Sequence, residues 1–286
     1  MALNGFNLIS QRSFLPLTVL LAIALSGCAS SRSSSSATAE LDTSTASPLN
    51  ISSLTAVVNQ NPSDASAYNV RGTAYGKAGK FNEALADFEK ALQLNPAFYQ
   101  AYANRALIYR RRDKDNLALA DYNRALQINP SYDVAYVGRG NIYRQNNQAD
   151  RALADYNQAI SLGTADPRAY HNRALVYQMQ RQYNEAIRDF TTAISRAPSA
   201  IEPYNGRGLS YLAIGDYKSA LIDFNEVVTL DRDSYEGWTS QGLALEKLGE
   251  LQKAHAAFAR AANLNPKYKP AKDGMRRTAN AGGSAA

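Results

Sequence analysis

The chain is poor in the residues that most often carry chemistry. It has one cysteine, two histidines and one tryptophan in 286 residues. With Cys28 alone, no disulfide can form within the chain, so any fold must be held by burial. His171 and His255 lie far apart in the sequence, and one cysteine beside them makes no zinc set of the usual kind. There is no G-x-S-x-G elbow and no phosphate-binding glycine loop. The apolar run from Phe14 to Leu25 has 12 residues, short of the ~20 that a spanning helix needs. No charge of one sign is massed in a tail. The formal balance is +6, spread along the chain, which is weak ground for a nucleic-acid partner, and none is assigned. No convergent acid, base and nucleophile set emerges, so the chain reads as a binding protein and not an enzyme. No cofactor is implied.

What the chain has instead is a repeat. The stretch from Tyr99 to Pro130 returns 34 residues later as Tyr136, Arg139, Gly140, Tyr143, Ala152, Asp155, Tyr156 and Ala159. It appears 34 residues earlier as Tyr68, Arg71, Gly72, Tyr75, Ala84, Asp87, Phe88, Ala91 and Pro96. A fixed period of this size means stacked supersecondary units. Six full repeats run in register at 65–98, 99–132, 133–166, 167–200, 201–234 and 235–268. Within each, positions 4, 8 and 11 share one helical face, and positions 20, 24 and 27 share a face of a second helix. Small residues at 8, 20 and 27 permit close approach. Aromatics at 4, 11 and 24 fill the space between.

This spacing resembles the tetratricopeptide repeat (TPR). The resemblance covers about residues 49–275 and implies an all-α solenoid of antiparallel helix pairs: six repeats, an N-terminal half-repeat and a C-terminal capping helix. In the half-repeat, Leu54, Val57 and Pro62 hold positions 24, 27 and 32. The turn inside each repeat needs a residue that tolerates left-handed backbone. Gly79, Gly215 and Gly249 do so freely, Asp113 and Asn147 acceptably, while Arg181 departs and its turn is expected to differ. Proline closes the second helix at position 32, except at Thr164 and Arg232, the junctions where packing is expected to change. The polar segment 269–278 reads as the cap.

One pair of columns departs from the family pattern. Position 7 is Arg71, Arg105, Arg139, Arg173 and Arg207, where an apolar residue is usual, and position 23 is Asp87, Asp121, Asp155, Asp189 and Asp223. In the sixth repeat both vanish together, as Gln241 and Ala257. Joint presence and joint loss predict that each arginine pairs with the aspartate of its own repeat, as a structural ion pair.

The resemblance also implies that first helices line a concave groove through positions 2, 5, 9, 12 and 13. The candidate peptide-binding residues are Gln100, Arg110, Arg111, Asn141, Arg144, His171, Leu175, Met179, Asn205, Leu209, Leu212 and Leu243. The groove is thus expected to be basic in the middle and apolar toward the C-terminus, suited to a partner segment with acidic and aliphatic residues. The alternatives are plain: the leucines pack against neighbouring helices, the arginines around 110–112 are a solvated helix end, and His171 is a solvated histidine. A carboxylate clamp of the kind some relatives use is not present. The nearest approach, around Asn172, has Val137, Glu202 and Gly206 where the pattern differs.

The first segment reads as a targeting signal and is set aside from the fold. Its apolar run ends in Leu25-Ser26-Gly27-Cys28, which resembles the lipobox of bacterial lipoproteins. That implies a signal peptide over 1–27, cleavage before Cys28 and covalent lipid on it, the only prosthetic group expected. Ala29 after the cysteine implies the outer membrane of a Gram-negative cell, with the protein facing the periplasm. Residues 28–48 are rich in Ser, Thr and Ala and are expected to tether the folded domain of 49–278. Residues 279–286 are expected to be a disordered tail. Partners are then periplasmic or envelope proteins or peptides. Two functions fit: a scaffold or adaptor that binds partners in its groove, and a pilot lipoprotein for an outer-membrane pilus or secretion machine.

Overall fold

The computed structural model describes residues 48–279. The signal segment, Cys28 and all but the last residue of the tether lie outside the described residues, as do 280–286. Pro48, read from sequence as the last tether residue, is the first of α1, and Ala279 ends α14 as its C-cap.

Among the described residues there are fourteen helices and no strand. They run α1 (Pro48–Gln60), α2 (Ala65–Lys77), α3 (Phe81–Leu94), α4 (Tyr99–Arg111), α5 (Asp115–Ile128), α6 (Asp133–Gln145), α7 (Ala149–Ser161), α8 (Pro167–Met179), α9 (Tyr183–Arg196), α10 (Ile201–Ile214), α11 (Tyr217–Leu230), α12 (Tyr235–Lys247), α13 (Leu251–Leu264) and α14 (Lys269–Thr278). Even-numbered helices from α2 to α12 are the first of each repeat and odd-numbered helices from α3 to α13 the second. Each pair packs as an antiparallel hairpin. Successive first helices touch one another, whereas successive second helices do not. The first helices therefore line the inside of the curve and the second helices splay on its outside.

The core is a stack of small and aromatic columns. Position 20 is alanine in all six repeats, with no exposed surface, and the position-24 ring is buried in every one. That ring wedges between two first helices. Gly138, at position 6, is the clearest case: a Cβ there would lie 2.4 Å from Tyr122 Cζ of the preceding repeat. Two further buried columns are not marked by the aromatic and small-residue pattern read from the sequence. Position 3 holds Ala101, Ala135, Ala169 and Ala271, and position 10 holds Ile108, Ile142, Val176 and Ala244.

In the half-repeat the expected burial shifts by one residue. Val57 is 43% exposed and Val58 is 3% exposed. Position 27 normally packs against the first helix of its own repeat, which α1 lacks. Position 28 meets the first helix of the next repeat, which is present as α2.

The arginine and aspartate columns meet in all five repeats. Arg71, Arg105, Arg139, Arg173 and Arg207 each place Nε and Nη2 on the two carboxylate oxygens of Asp87, Asp121, Asp155, Asp189 and Asp223, at 2.7–2.9 Å. Asp223 is 2% exposed and the other four aspartates are buried. In the first four of these repeats the guanidinium also lies within 6.0 Å of the rings at positions 4 and 11 of its own helix; Arg207 lies 5.9 Å from Tyr204. The third guanidinium nitrogen reaches back one repeat. Arg139 Nη1 donates to Asn123 at 2.6 Å, Arg173 Nη1 to Asn157 at 2.7 Å and Arg207 Nη1 to Thr191 at 3.0 Å. Each of these arginines therefore ties its own two helices together and pins them to the repeat before. Gln241 keeps the backward bond, to Asn225 at 2.8 Å, without the aspartate.

All six turns place a left-handed residue at the same repeat position. Arg181 has φ 60°, beside Asp113 at 56° and Asn147 at 57°. The expected difference at Arg181 is absent because the turn is closed by backbone bonds: Gln182 N–H donates to Tyr177 O at 2.8 Å, as Lys80 does to Tyr75 at 2.9 Å. That closure imposes the conformation on whatever residue stands there.

The two junctions without proline behave differently. At Arg232 the connection is regular, because the residue before it sets the geometry. Asp231 accepts from the backbone N–H two residues on at 3.0 Å, as Asn95 and Asn129 do. At Thr164 the junction does change. Helix α7 ends early, Gly163 turns left-handed at φ 77°, and Thr164 is buried and held by Arg196 Nη1 at 2.8 Å.

Candidate functional site

The groove is built by the faces of α2, α4, α6, α8, α10 and α12 that neither the core nor the arginine ladder uses. Its composition follows from position 12, which changes from repeat to repeat: Gly76, Arg110, Arg144, Gln178, Leu212 and Glu246. Gln178 is spent inside the protein, donating to Gly206 O and Ser210 Oγ, both at 2.8 Å. Glu246 binds Arg277 of the cap through two bonds of 2.7 Å, which hold its carboxyl below the ordinary range. Leu212 packs on the core of repeats 5 and 6. Arg110 and Arg144 are the two members left facing the groove, and both are half-buried.

Beside Arg110 lies a polar part of the inner surface. A cavity of about 40 Å³ between α4, α6 and the start of α8 is lined by Asn104, Arg110, Tyr122, Asn141, Asp166 and Arg168, with apolar Leu107, Val134 and Val137. Asp166 is buried and caps α8 by accepting from Arg168 N–H at 2.9 Å. Its carboxylate also pairs with the Arg168 guanidinium at 2.8 Å. Asn141 accepts from the Tyr156 hydroxyl at 2.7 Å. Burial pushes the Tyr156 phenol above its ordinary range, against the pull of Arg144 and Arg110. Arg144 Nε is buried with no hydrogen-bond partner, and so is Nδ1 of His171. Burial lowers the His171 pKa, with Glu202 raising it and Arg144 lowering it further. His171 also lines a neighbouring depression with Asn172, Glu202 and Pro203.

The sequence candidates thus divide. Arg110 and Asn141 share one cavity, and Arg144 joins them through Tyr156. His171 sits one helix further on. Gln100 is half-buried near the start of α4, and Arg111 is exposed at its end. Met179 and Leu209 are exposed, at 51% and 41%. Asn205 is half-buried on α10. Leu175 and Leu243, like Leu212, are half-buried against the core beneath them, so they offer only an edge to the groove. Sequence reasoning missed Asn104, Leu107, Val134 and Arg168. Arg168 stands at position 2, a column already assigned to the groove, and its register was the available signal. Asn104 stands at position 6, outside the columns expected. It faces inward and donates to Asn69 at 3.0 Å. At the N-terminal end Asn69, Thr73 and Lys77 line a separate depression with Leu54 and Val70.

Tetratricopeptide repeat models match residues 65–98, 99–132, 140–203 and 205–269. Among curated proteins no sequence matches the chain. Among solved structures, PilF of Pseudomonas aeruginosa superposes with a TM-score of 0.68 at 15% identity, over 74% of this chain and 97% of that one. A chain of the APC/C hetero-tetramer Cut9–Hcn1 superposes with a TM-score of 0.66 at 18% identity, over 82% of this chain; the match spans only 47% of that chain. YrrB, described as a TPR protein with an unusual peptide-binding site, gives 0.60 at 22% identity, over 66% of this chain and 97% of its own. At these identities the likeness is one of fold. The repeat models take in well over half of the sequence, and the helix pairs, turns and small-residue columns are those of the same unit: the chain belongs to the tetratricopeptide repeat family.

Proposed function

We propose that the protein is a scaffold or adaptor that binds protein partners in its concave groove, tethered to the outer membrane on its periplasmic side by lipid on Cys28. The observation that carries the binding role is the contrast between columns. Positions 3, 8, 10, 20, 24 and 27 stay small or apolar in nearly every repeat and are buried, whereas the side chains left on the inner face differ from repeat to repeat, from Asn69 through Arg110, Arg144 and His171 to Leu209. A surface that varies while its scaffold repeats is one that specifies a ligand. The lipobox-like stretch ending at Cys28 supports the anchor.

A pull-down with the full chain from detergent-solubilised envelope tests the adaptor role. It is expected to recover soluble periplasmic proteins. A Cys28→Ser variant is expected to leave the outer-membrane fraction, and its retention there would refute the anchor.

A second reading, a pilot for an outer-membrane pilus or secretion machine, draws on two of the similar folds. PilF and PilW each align over 97% of their length, and PilW is described as a type IV pilus biogenesis factor. On that reading the pull-down recovers an integral outer-membrane channel, and deletion of the protein dissolves the channel's assembly.

A further inference from the structure

The observation is a surplus of positive charge at the centre of the groove. Arg168 is matched by Asp166. No carboxylate among the described residues forms an ion pair with Arg110 or Arg144. Arg144 Nε, a donor, is buried without an acceptor. An unsatisfied buried donor is unfavourable, and native proteins rarely tolerate one unless something else supplies the acceptor. Resting on the groove being a protein-binding surface, we infer that Arg110 and Arg144 form an anion subsite that seats the carboxylates of an acidic peptide segment.

The chemistry favours a carboxylate group. Planar guanidinium forks match a carboxylate with two parallel hydrogen bonds. Asn141, whose Oδ1 is taken by Tyr156, offers its amide N–H groups as neutral donors at the cavity beside Arg110. Its volume of about 40 Å³ admits one small polar group and not a nucleotide.

The surroundings favour a peptide over a nucleic acid. Tyr122 and Tyr156 are 3% and 0% exposed, so they present no ring face for a base to stack on. Further along the groove the charge reverses at Glu202, and the surface becomes apolar at Met179 and Leu209. An extended polyphosphate backbone would be repelled there. The register gives the peptide its pattern. Arg110 and Arg144 stand on adjacent first helices, roughly 10 Å apart by ordinary helix packing. An extended chain covers that in about three residues. Two acidic residues three apart, followed about six residues on by an aliphatic one over Leu209, would fit.

The test is selection of a random twelve-residue peptide library on the full chain and on an Arg110→Gln/Arg144→Gln variant of unchanged helicity. Peptides selected on the native protein are expected to be enriched in Asp or Glu, to bind at least tenfold more weakly to the variant, and to resist competition by single-stranded DNA and by inorganic phosphate. Selected peptides without acidic enrichment would overturn the subsite and leave the groove as a binding surface. So would equal binding to the variant. Displacement by single-stranded DNA or phosphate at lower concentration than peptide would assign the arginines to another anion. If no peptide is selected at all, the groove reading falls with the subsite.

Discussion

At the scale of the residue, one arginine does several jobs. Arg139 places two bonds on Asp155, a third on Asn123, and its plane beside Tyr136 and Tyr143. Asp155 is buried, and burial raises its pKa despite the Arg139 bonds that lower it. An aspartate stranded there by Arg139→Ala has lost the cation that pairs with it. We expect Arg139→Ala and Asp155→Ala each to cost about 2–4 kcal/mol, somewhat under the range for fully buried pairs because the arginine is partly exposed. The double variant should cost clearly less than the sum. Simple additivity in denaturant melts would mean that the two do not act as a pair. The partnership was legible in the sequence because the sixth repeat loses both members at once. The backward bond was not, since its acceptor column reads Asn123, Asn157, Thr191 and Asn225 and shows no single residue type.

At the scale of the element, closure by backbone outweighs side-chain preference. Arg181 sits at φ 60° in a turn that glycine fills elsewhere. The left-handed conformation costs a side-chain-bearing residue about 1 kcal/mol. Arg181→Gly should therefore stabilise by somewhat under about 1 kcal/mol, after the looser unfolded chain is counted. An unchanged or lower melting temperature would show that Arg181 makes a compensating contact.

The cap offers a test with a sign in pH. Arg277 bonds Glu246 and lowers its pKa. The pair thus contributes stability above the unfolded glutamate value, and the contribution fades as pH falls through the lower folded value. Glu246→Gln should weaken protection of α14 in hydrogen exchange at pH 7, by less than about 1 kcal/mol because the pair is partly exposed. Once pH lies well below that folded value, native and variant should agree. A difference that persists in acid would mean that the effect is packing rather than charge. The helices themselves were legible from periodicity, whereas their junctions were only half so. Proline at position 32 marked them, yet Arg232 lies in a regular junction because Asp231 makes the turn. The shift from Val57 to Val58 could not be read from the column, because it arises from the first helix that α1 lacks.

At the scale of the whole molecule, a repeating scaffold carries a surface that does not repeat. The inner face has arginines at its centre, glutamates and exposed Met179 and Leu209 beyond, and a tied Gln178 between them. Sequence register located the inner column and the central arginines. It did not show which side chains the protein consumes for itself. Gln178, Leu212 and Glu246 occupy the same column as Arg110 and Arg144, and only three dimensions reveal their partners. Asn104 was missed because position 6 lies outside the columns expected, whereas the register of Arg168 at position 2 could have found it.

The measurement that tests the central claim most directly is partner capture by the full chain carrying Arg110→Glu, Arg111→Glu and Arg144→Glu together, with its helicity verified. Loss of the proteins that the native chain recovers, at an unchanged fold, is the predicted result. Recovery of the same proteins in the same amounts would contradict it, and would place recognition somewhere other than the groove.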